Sequence, residues 1–243
     1  SLTTGESSAI TGENATLRVR PGFTNEGSLA FSSGVNRVFG DVVNGNNERV
    51  IVSGDALVTF FDDYANSFSG ITQVSANATA VFFGFSGNAP AGTGTIFQEA
   101  DLRPGQSPGA FTFGGDMHLG GGARTEIEIA GTTAGEEFDI VSIDGQLSLG
   151  GMLDVVLIDD GTGSTFSPGL GDTFEILSAG AGISGAFASI SLPGLGSLLE
   201  WNVLQNAESV VAAVVAALEG DYNGDGTVDA SDYKVWRDTL GST

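Results

Sequence analysis

The sequence predicts an all-β fold, a β-solenoid of short stacked coils, and three observations carry that prediction. A repeat of 21 and then 22 residues runs through the first half of the chain. Short stretches of alternating apolar and polar residues fill each copy. Thirty-eight glycines without an every-third period punctuate the 243 residues, which points to many tight turns rather than to a collagen helix.

The repeat is visible by eye. Residues 31–44 read FSSGVNRVFGDVVN, residues 52–66 read VSGDALVTFFDDYAN and residues 74–88 read VSANATAVFFGFSGN. Ser32, Ser53 and Ser75 align, and Phe39, Phe60 and Phe82 each follow seven residues later. Asn44, Asn66 and Asn88 close the copies. The strand leading in recurs at Phe31, Val52, Val74 and then Ile96, and a fainter copy precedes them at Ile10–Leu17. A unit this short cannot bury its own apolar face, whereas stacked neighbours can. Stacking would align Phe39, Phe60 and Phe82 as an internal aromatic ladder. The alternative is an antiparallel β-sandwich with two strands per copy.

The chain divides into three regions. Residues 1–105 hold the repeats, 106–218 continue the β pattern less regularly, and 219–243 form a small C-terminal module. In the middle region the expected strands are Ala110–Phe113, Thr125–Ile129, Phe138–Ile143, Leu153–Ile158, Thr173–Leu177, Ala188–Leu192, Leu199–Leu204 and Ser209–Ala216. Paired valines make the last a strand despite its alanines.

Charge narrows the partners. The formal net charge is −22, from 30 acidic and 8 basic residues, and Lys234 is the single lysine. Such a chain repels nucleic acid and anionic membrane surfaces and attracts divalent cations. The acids are scattered, as on a solvated surface. There is no cysteine. Ser1-Leu2-Thr3-Thr4-Gly5 lacks the basic and apolar regions of a leader, so a processed end or a fragment is expected. The longest apolar run, Val210–Leu218, is too short to span a bilayer. Asn-x-Thr sequons stand at Asn14 and Asn77.

The stretch Asp101-Leu102-Arg103-Pro104-Gly105-Gln106-Ser107-Pro108-Gly109 resembles the PG-x-SPG turn of autotransporter-type passenger domains, and it is similar to the β-strand-repeat surface proteins of planctomycetes. Glu137-Phe138-Asp139, the run Gly145 to Leu153, and Leu192-Pro193-Gly194 through Trp201-Asn202 resemble the segments downstream of that turn in those proteins. The likeness covers residues 25–243. It implies a right-handed parallel β-helix that is exported, with adhesins and surface or matrix components as its best-known relatives.

The most specific motif is Asp221-Tyr222-Asn223-Gly224-Asp225-Gly226-Thr227-Val228-Asp229-Ala230-Ser231-Asp232. Side-chain oxygens fall at positions 1, 3, 5, 9 and 12, namely Asp221, Asn223, Asp225, Asp229 and Asp232, and Thr227 at position 7 offers its carbonyl. Gly226 at position 6 permits the sharp turn. Calcium, a hard cation needing six to eight oxygens, is the ion this spacing wraps. Val228 is expected to make a short strand contact beside the loop. A helix is expected from about Ser231 to Leu240, with Val235, Trp236 and Leu240 packing together or on a neighbour and Gly241 ending it. Asp232 stands where an EF-hand has Glu, and in this the loop resembles dockerin loops. Cellulosomal dockerins carry two loops, and only one is found here.

Catalytic motifs carry less. Gly105-Gln106-Ser107-Pro108-Gly109 fits the nucleophile-elbow pattern, but a strand is expected after it where the motif needs a helix. His118 is the single histidine and is expected on a strand or at the surface. The pairs Asp62-Asp63, Glu136-Glu137 and Asp159-Asp160 sit beside Gly or Asn as turns do, and neighbours in a strand face opposite ways, which argues against catalytic dyads. The expectation is therefore a non-enzymatic extracellular or cell-surface structural protein, a self-assembling fibre or surface-layer subunit, with calcium as its cofactor and copies of itself end to end, or another surface component, as partners. A carbohydrate-binding adhesin is the alternative, and a polysaccharide-acting enzyme the third choice.

Overall fold

The computed structural model describes residues 2–3, 9–67, 69–104, 108–159, 161–196, 198–217, 220 and 227–239. The chain is mostly β. The first strands are β1 (Leu2–Thr3), β2 (Ala9–Glu13), β3 (Thr16–Asn25), β4 (Ser28–Ser33), β5 (Val35–Asn44), β6 (Arg49–Val52), β7 (Leu57–Asn66), β8 (Ile71–Val74), β9 (Thr79–Gly87) and β10 (Thr95–Pro104). Then come β11 (Ala110–Phe113), β12 (Asp116–Leu119), β13 (Arg124–Ile129), β14 (Ile140–Ile143), β15 (Leu147–Leu149), β16 (Met152–Leu157), β17 (Thr173–Ala179), β18 (Ile183–Gly185), β19 (Ser189–Ser191), β20 (Leu199–Gln205) and β21 (Ser209–Ala216). The helix α1 spans Ala230–Thr239.

The strand pairing is parallel from β1 to β19. A 12-stranded sheet runs β1-β3-β5-β7-β9-β10-β12-β15-β18 and carries β13, β16 and β19 alongside. A second sheet orders β2-β4-β6-β8, and a third orders β11-β14-β17-β21-β20. Each repeat thus gives one long strand to the first sheet and one short strand to the second. Among the described strands only β21 pairs antiparallel, with β17 and with β20. An antiparallel sandwich built from the repeats is therefore excluded. The faint early copy is real: Ile10 pairs with Leu29 and Leu17 with Val38.

Two expectations are corrected. Phe39 does not join the internal ladder. Between Phe31 and Val35 lie three residues, Ser32-Ser33-Gly34, while between Val52 and Leu57 lie four, Ser53-Gly54-Asp55-Ala56. An alignment anchored on the serines slips by one residue past the turn, and one residue turns a side chain to the other face. Val38 is the partner of Phe60, and Phe60 of Phe82. Ile96 likewise leaves the series Phe31, Val52, Val74, which is otherwise in register. It lies in the first sheet opposite Ala80. The second sheet continues past β8 only as one bridge, Gln73 to Ala91, because Ala89-Pro90-Ala91-Gly92 cannot sustain a strand.

The expected strands of residues 110–216 are present, with Phe138 reduced to a bridge. Three further short strands, β12, β15 and β18, arise where the long strand divides. In β3, β7 and β10 the register shifts mid-strand, between Arg18 and Gly22, Phe60 and Asp63, and Gln98 and Asp101. After β10 that bend becomes a full turn, at Gly120–Gly122 and then Gly150–Gly151, so β10 pairs with both β12 and β13. The bend also requires Gly40. It holds φ +105, and a Cβ there would fall 1.6 Å from the Val19 carbonyl oxygen.

Buried residues alternate along the strands, as in β13 and β21, and form one core from Val19 to Val214. Two ladders run through it. Phe60 stacks on Phe82 at 5.1 Å, while Tyr64 stacks on Phe85 at 5.7 Å. Beside them Asn25 Nδ2 donates to Asn44 Oδ1 at 2.8 Å, Asn44 Nδ2 to Asn66 Oδ1 at 2.9 Å, and Asn66 Nδ2 to the Asn88 carbonyl at 2.8 Å. Asn44 also donates to the Glu48 and Ile71 carbonyls. Asn25, Asn44 and Asn66 are thus a buried polar seam joining the copies, and Asn88 continues it through its backbone carbonyl.

Candidate functional site

The C-terminal loop is the first candidate. Asp221, Asn223 and Asp225 lie outside the described residues, as do Gly226 and Leu240. The second half of the ligand set is placed. Thr227 and Asp229 are exposed and Asp232 is buried. The expected helix is α1, and its first turn is capped by the predicted ligands themselves. Asp229 Oδ1 accepts the Ser231 N–H at 2.7 Å, and Asp232 Oδ2 accepts the Asp229 N–H at 2.6 Å. This is a reciprocal cap, with acidic oxygens at the positive end of the helix. It satisfies helix donors whether or not a metal is bound. It also fixes loop positions 9 and 12 next to each other, which an oxygen cage leading into a helix requires. Both side chains offer oxygen donors of the kind calcium takes, and such an ion would be held by them with further oxygens of the loop. Among the described residues no group of three or more acidic or imidazole side chains gathers at one point.

Val228 makes no strand here. It is 55% exposed and sits over Gly220, where an added Cβ would approach Val228 Cγ1 to 3.3 Å. Tyr233 and Trp236 lie 5.6 Å apart on α1 and are 60% and 38% exposed. Val235 is half-buried.

The second candidate is a row of aromatics on the outer face. Phe39 stacks on Phe61 at 4.5 Å and Phe61 on Phe83 at 5.4 Å, with the Arg18 guanidinium 4.3 Å from the Phe39 ring centre. A sugar platform needs a free ring face. Here Phe39 and Phe61 spend their faces on their neighbours and present edges outward, so the row acts as an external staple between repeats. His118 of β12 behaves similarly, stacking at 4.5 Å on Phe97, its partner in β10.

The acidic pairs resolve as turn and bulge chemistry. Asp62 and Asp63 are both exposed, since the register shift after Phe60 breaks the alternation expected of adjacent strand residues. Asp62 Oδ2 accepts the Gly40 N–H at 2.6 Å. Glu137 Oε2 accepts the N–H groups of Thr132 and Thr133, and hydrogen bonding from Thr133 holds its carboxyl below the usual range. Asp159 Oδ1 accepts from Gly161 and Gly163, and Asp160 lies outside the described residues. So do Gly105, Gln106 and Ser107 of the elbow-like motif. The segment after them is the strand β11, not a helix.

Sequence reasoning passed over Asp139, which is only 2% exposed. Its Oδ1 accepts the Gly109 N–H at 2.6 Å and its Oδ2 the Glu128 N–H at 2.9 Å, tying the start of β11 to β13. Burial pushes its carboxyl up to about 7, against the two amide hydrogen bonds, with repulsion from Glu128 and Glu126 adding to the rise. On the outer face nearby, Glu126 receives Arg103 at 3.2 Å and Arg124 at 2.7 Å, and Arg124 reaches on to Asp154. This chain of charges crosses three neighbouring strands. An open acidic groove of about 380 Å³ lies by Asp144, Glu175 and Glu208, with Ser142 and Ser178 between.

No protein-family model matches the chain, and no curated protein matches it.

Proposed function

We propose that the chain is an extracellular or cell-surface structural protein. It is a β-solenoid rod with a calcium-stabilised C-terminal module, it assembles end to end into a fibre or surface layer, and it has no catalytic role. One observation supports this reading above the others. Equivalent residues of successive repeats stand in parallel register and are joined inside by asparagine and aromatic ladders and outside by the stacked row Phe39–Phe61–Phe83. Such a design spends polar and aromatic side chains on holding neighbouring turns together. A stack with parallel strands also has ends whose backbone groups call for a partner. The loop residues Asp229 and Asp232 supply the calcium-responsive element, and the net charge of −22 suits calcium-rich or salty surroundings.

The test is calorimetric calcium titration combined with sedimentation velocity, in millimolar calcium and then in chelator. Calcium binding at one site per chain is expected, with large species in calcium that shorten or dissociate in chelator. A chain that stays a small monomer under both conditions contradicts assembly. A chain that binds no calcium contradicts the module's role.

A further inference from the structure

The outer face of the first sheet carries a groove that the stacking of the repeats does not require. It encloses about 300 Å³ and crosses β9 between β7 and β10. Its floor is made of small residues. Gly84 stands between Asp63 of β7 and Asp101 of β10, and Ser86 between Ala65 and Arg103. The register shifts after Phe60 and Gln98 set these positions outward, and Asp63, Ser86, Asp101 and Arg103 are all exposed.

Two charged side chains reach this floor from opposite walls. A Cβ at Gly84 would fall 2.5 Å from Asp63 Oδ1, so the carboxylate lies over bare backbone. From the other wall Arg103 meets Asp101 at 3.6 Å and Glu126 at 3.2 Å, and its side chain stays 57% exposed. Phe83, the residue before Gly84, ends the outer aromatic row. It stacks on Phe61 alone among the described rings and is 40% exposed. The groove thus offers two carboxylates, a guanidinium, a hydroxyl and an apolar ring at its margin.

That mixture selects the occupant. A metal ion would sit beside the Arg103 cation. An anion would face Asp63 and Asp101, and the cation there is already shared with Asp101 and Glu126. A neutral ligand rich in hydroxyl groups meets neither penalty. Each hydroxyl can donate to a carboxylate and accept from a guanidinium or a serine, and an apolar ring suits the C–H face of a sugar. A concave site with a few convergent polar groups is the usual form of a small-molecule site. We propose that the groove between Asp63 and Arg103 binds a neutral saccharide. Asp63 and Asp101 accept from its hydroxyls, while Arg103 and Ser86 donate to them. Gly84 keeps the floor open, since a side chain there would push the Asp63 carboxylate aside. The site adds a lateral binding face to the structural role proposed above, and its test does not depend on assembly.

Affinity electrophoresis suits a chain of net charge −22, which migrates strongly in a native gel. The full chain is run through gels cast with soluble glucan, mannan, galactan or xylan, and through one cast with acidic polygalacturonan. Retardation by at least one neutral polymer is expected, and none by polygalacturonan. Asp63→Ala is expected to weaken that binding roughly tenfold, through the loss of a charged acceptor. Ser86→Leu fills the floor and is expected to abolish it. Glu208→Ala makes the same change of charge at the separate acidic groove beside Asp144, and is expected to leave retardation unchanged. Unfolding midpoints equal to that of the wild-type chain show that each variant is folded. Retardation by polygalacturonan alone, or by none of the polymers, overturns the proposal. So does retardation that survives both Asp63→Ala and Ser86→Leu, or that is lost equally in Glu208→Ala.

Discussion

Residues 16–87 and residues 110–217 are built from the same kind of parallel rung, yet they hold together differently. In the first region the repeats are short and nearly equal; asparagines link each rung from β3 to β9, the outer rings Phe39, Phe61 and Phe83 link β5, β7 and β9, and the inner rings Phe60 with Phe82 and Tyr64 with Phe85 add a third fastening between β7 and β9. In the second region the excursions between paired strands lengthen: Met117 pairs with Leu147 and Leu153 with Ile190. The ladders give way there to aliphatic columns, a buried carboxylate and an antiparallel hairpin. Equal repeats place identical side chains on top of one another, which permits ladders; unequal ones do not. The first region is thus fastened by repeated side-chain links, and the second by unlike contacts that end in the antiparallel β20–β21 hairpin.

The sharpest way to break this contrast is to remove rings from the two faces of β7. Phe60→Ala takes a fully buried ring from the inner ladder and is expected to cost about 3–5 kcal/mol in denaturant unfolding. Phe61→Ala, one residue on but outside, is expected to cost about 1 kcal/mol. Equal costs would mean that the outer row is as much a core as the inner one. Asn44→Ala comes next, at about 2–3 kcal/mol, because it takes the Asn44 amide from Asn66 Oδ1 and from the Glu48 and Ile71 carbonyls inside the stack. A neutral result would show that the asparagine seam is dispensable.

The second region is probed through Asp139. Its folded carboxyl titrates at about 7, against 3.8 for the unperturbed group. The folded state therefore binds this proton more tightly than the unfolded state does. Stability from this group is full below about pH 4 and falls as pH rises to 7, by about 1 kcal/mol per unit in the steep part. Asp139→Asn should abolish that slope. It should also cost about 2 kcal/mol at pH 5, since an amide cannot accept from both the Gly109 and the Glu128 N–H groups. Identical pH profiles for the two proteins would place the proton elsewhere. The smallest effect is expected at the module. Asp229→Ala should lower the helix content of α1 by the worth of one cap, about 1 kcal/mol, and weaken calcium binding, while the unfolding of the β region stays unchanged.

Much of the architecture is legible in the sequence. The repeat, the strands and the closing asparagines read directly, because each repeat copies the same apolar pattern and turn residues. The face of Phe39 does not. It depends on one extra residue in the turn after Val52, and a slip of one is invisible to an alignment but decisive for a strand. The end of the second sheet at Ala91 is written in Ala89-Pro90-Ala91-Gly92, but the 22-residue step from Val74 to Ile96 hides it. Asp139 looks like any of thirty acids, since burial depends on Gly109 and Glu128 arriving from other rungs. At the C-terminus the helix is legible in the spacing, whereas the capping by Asp229 and Asp232 shows only in its hydrogen bonds.

The most direct test of the proposed rod is diffraction from any aligned assemblies it forms in calcium. Stacked parallel rungs predict a reflection at about 4.7–4.8 Å along the long axis of the particle. That reflection lying across the axis, or assemblies that show no such spacing, would contradict a fibre built by stacking this protein end to end.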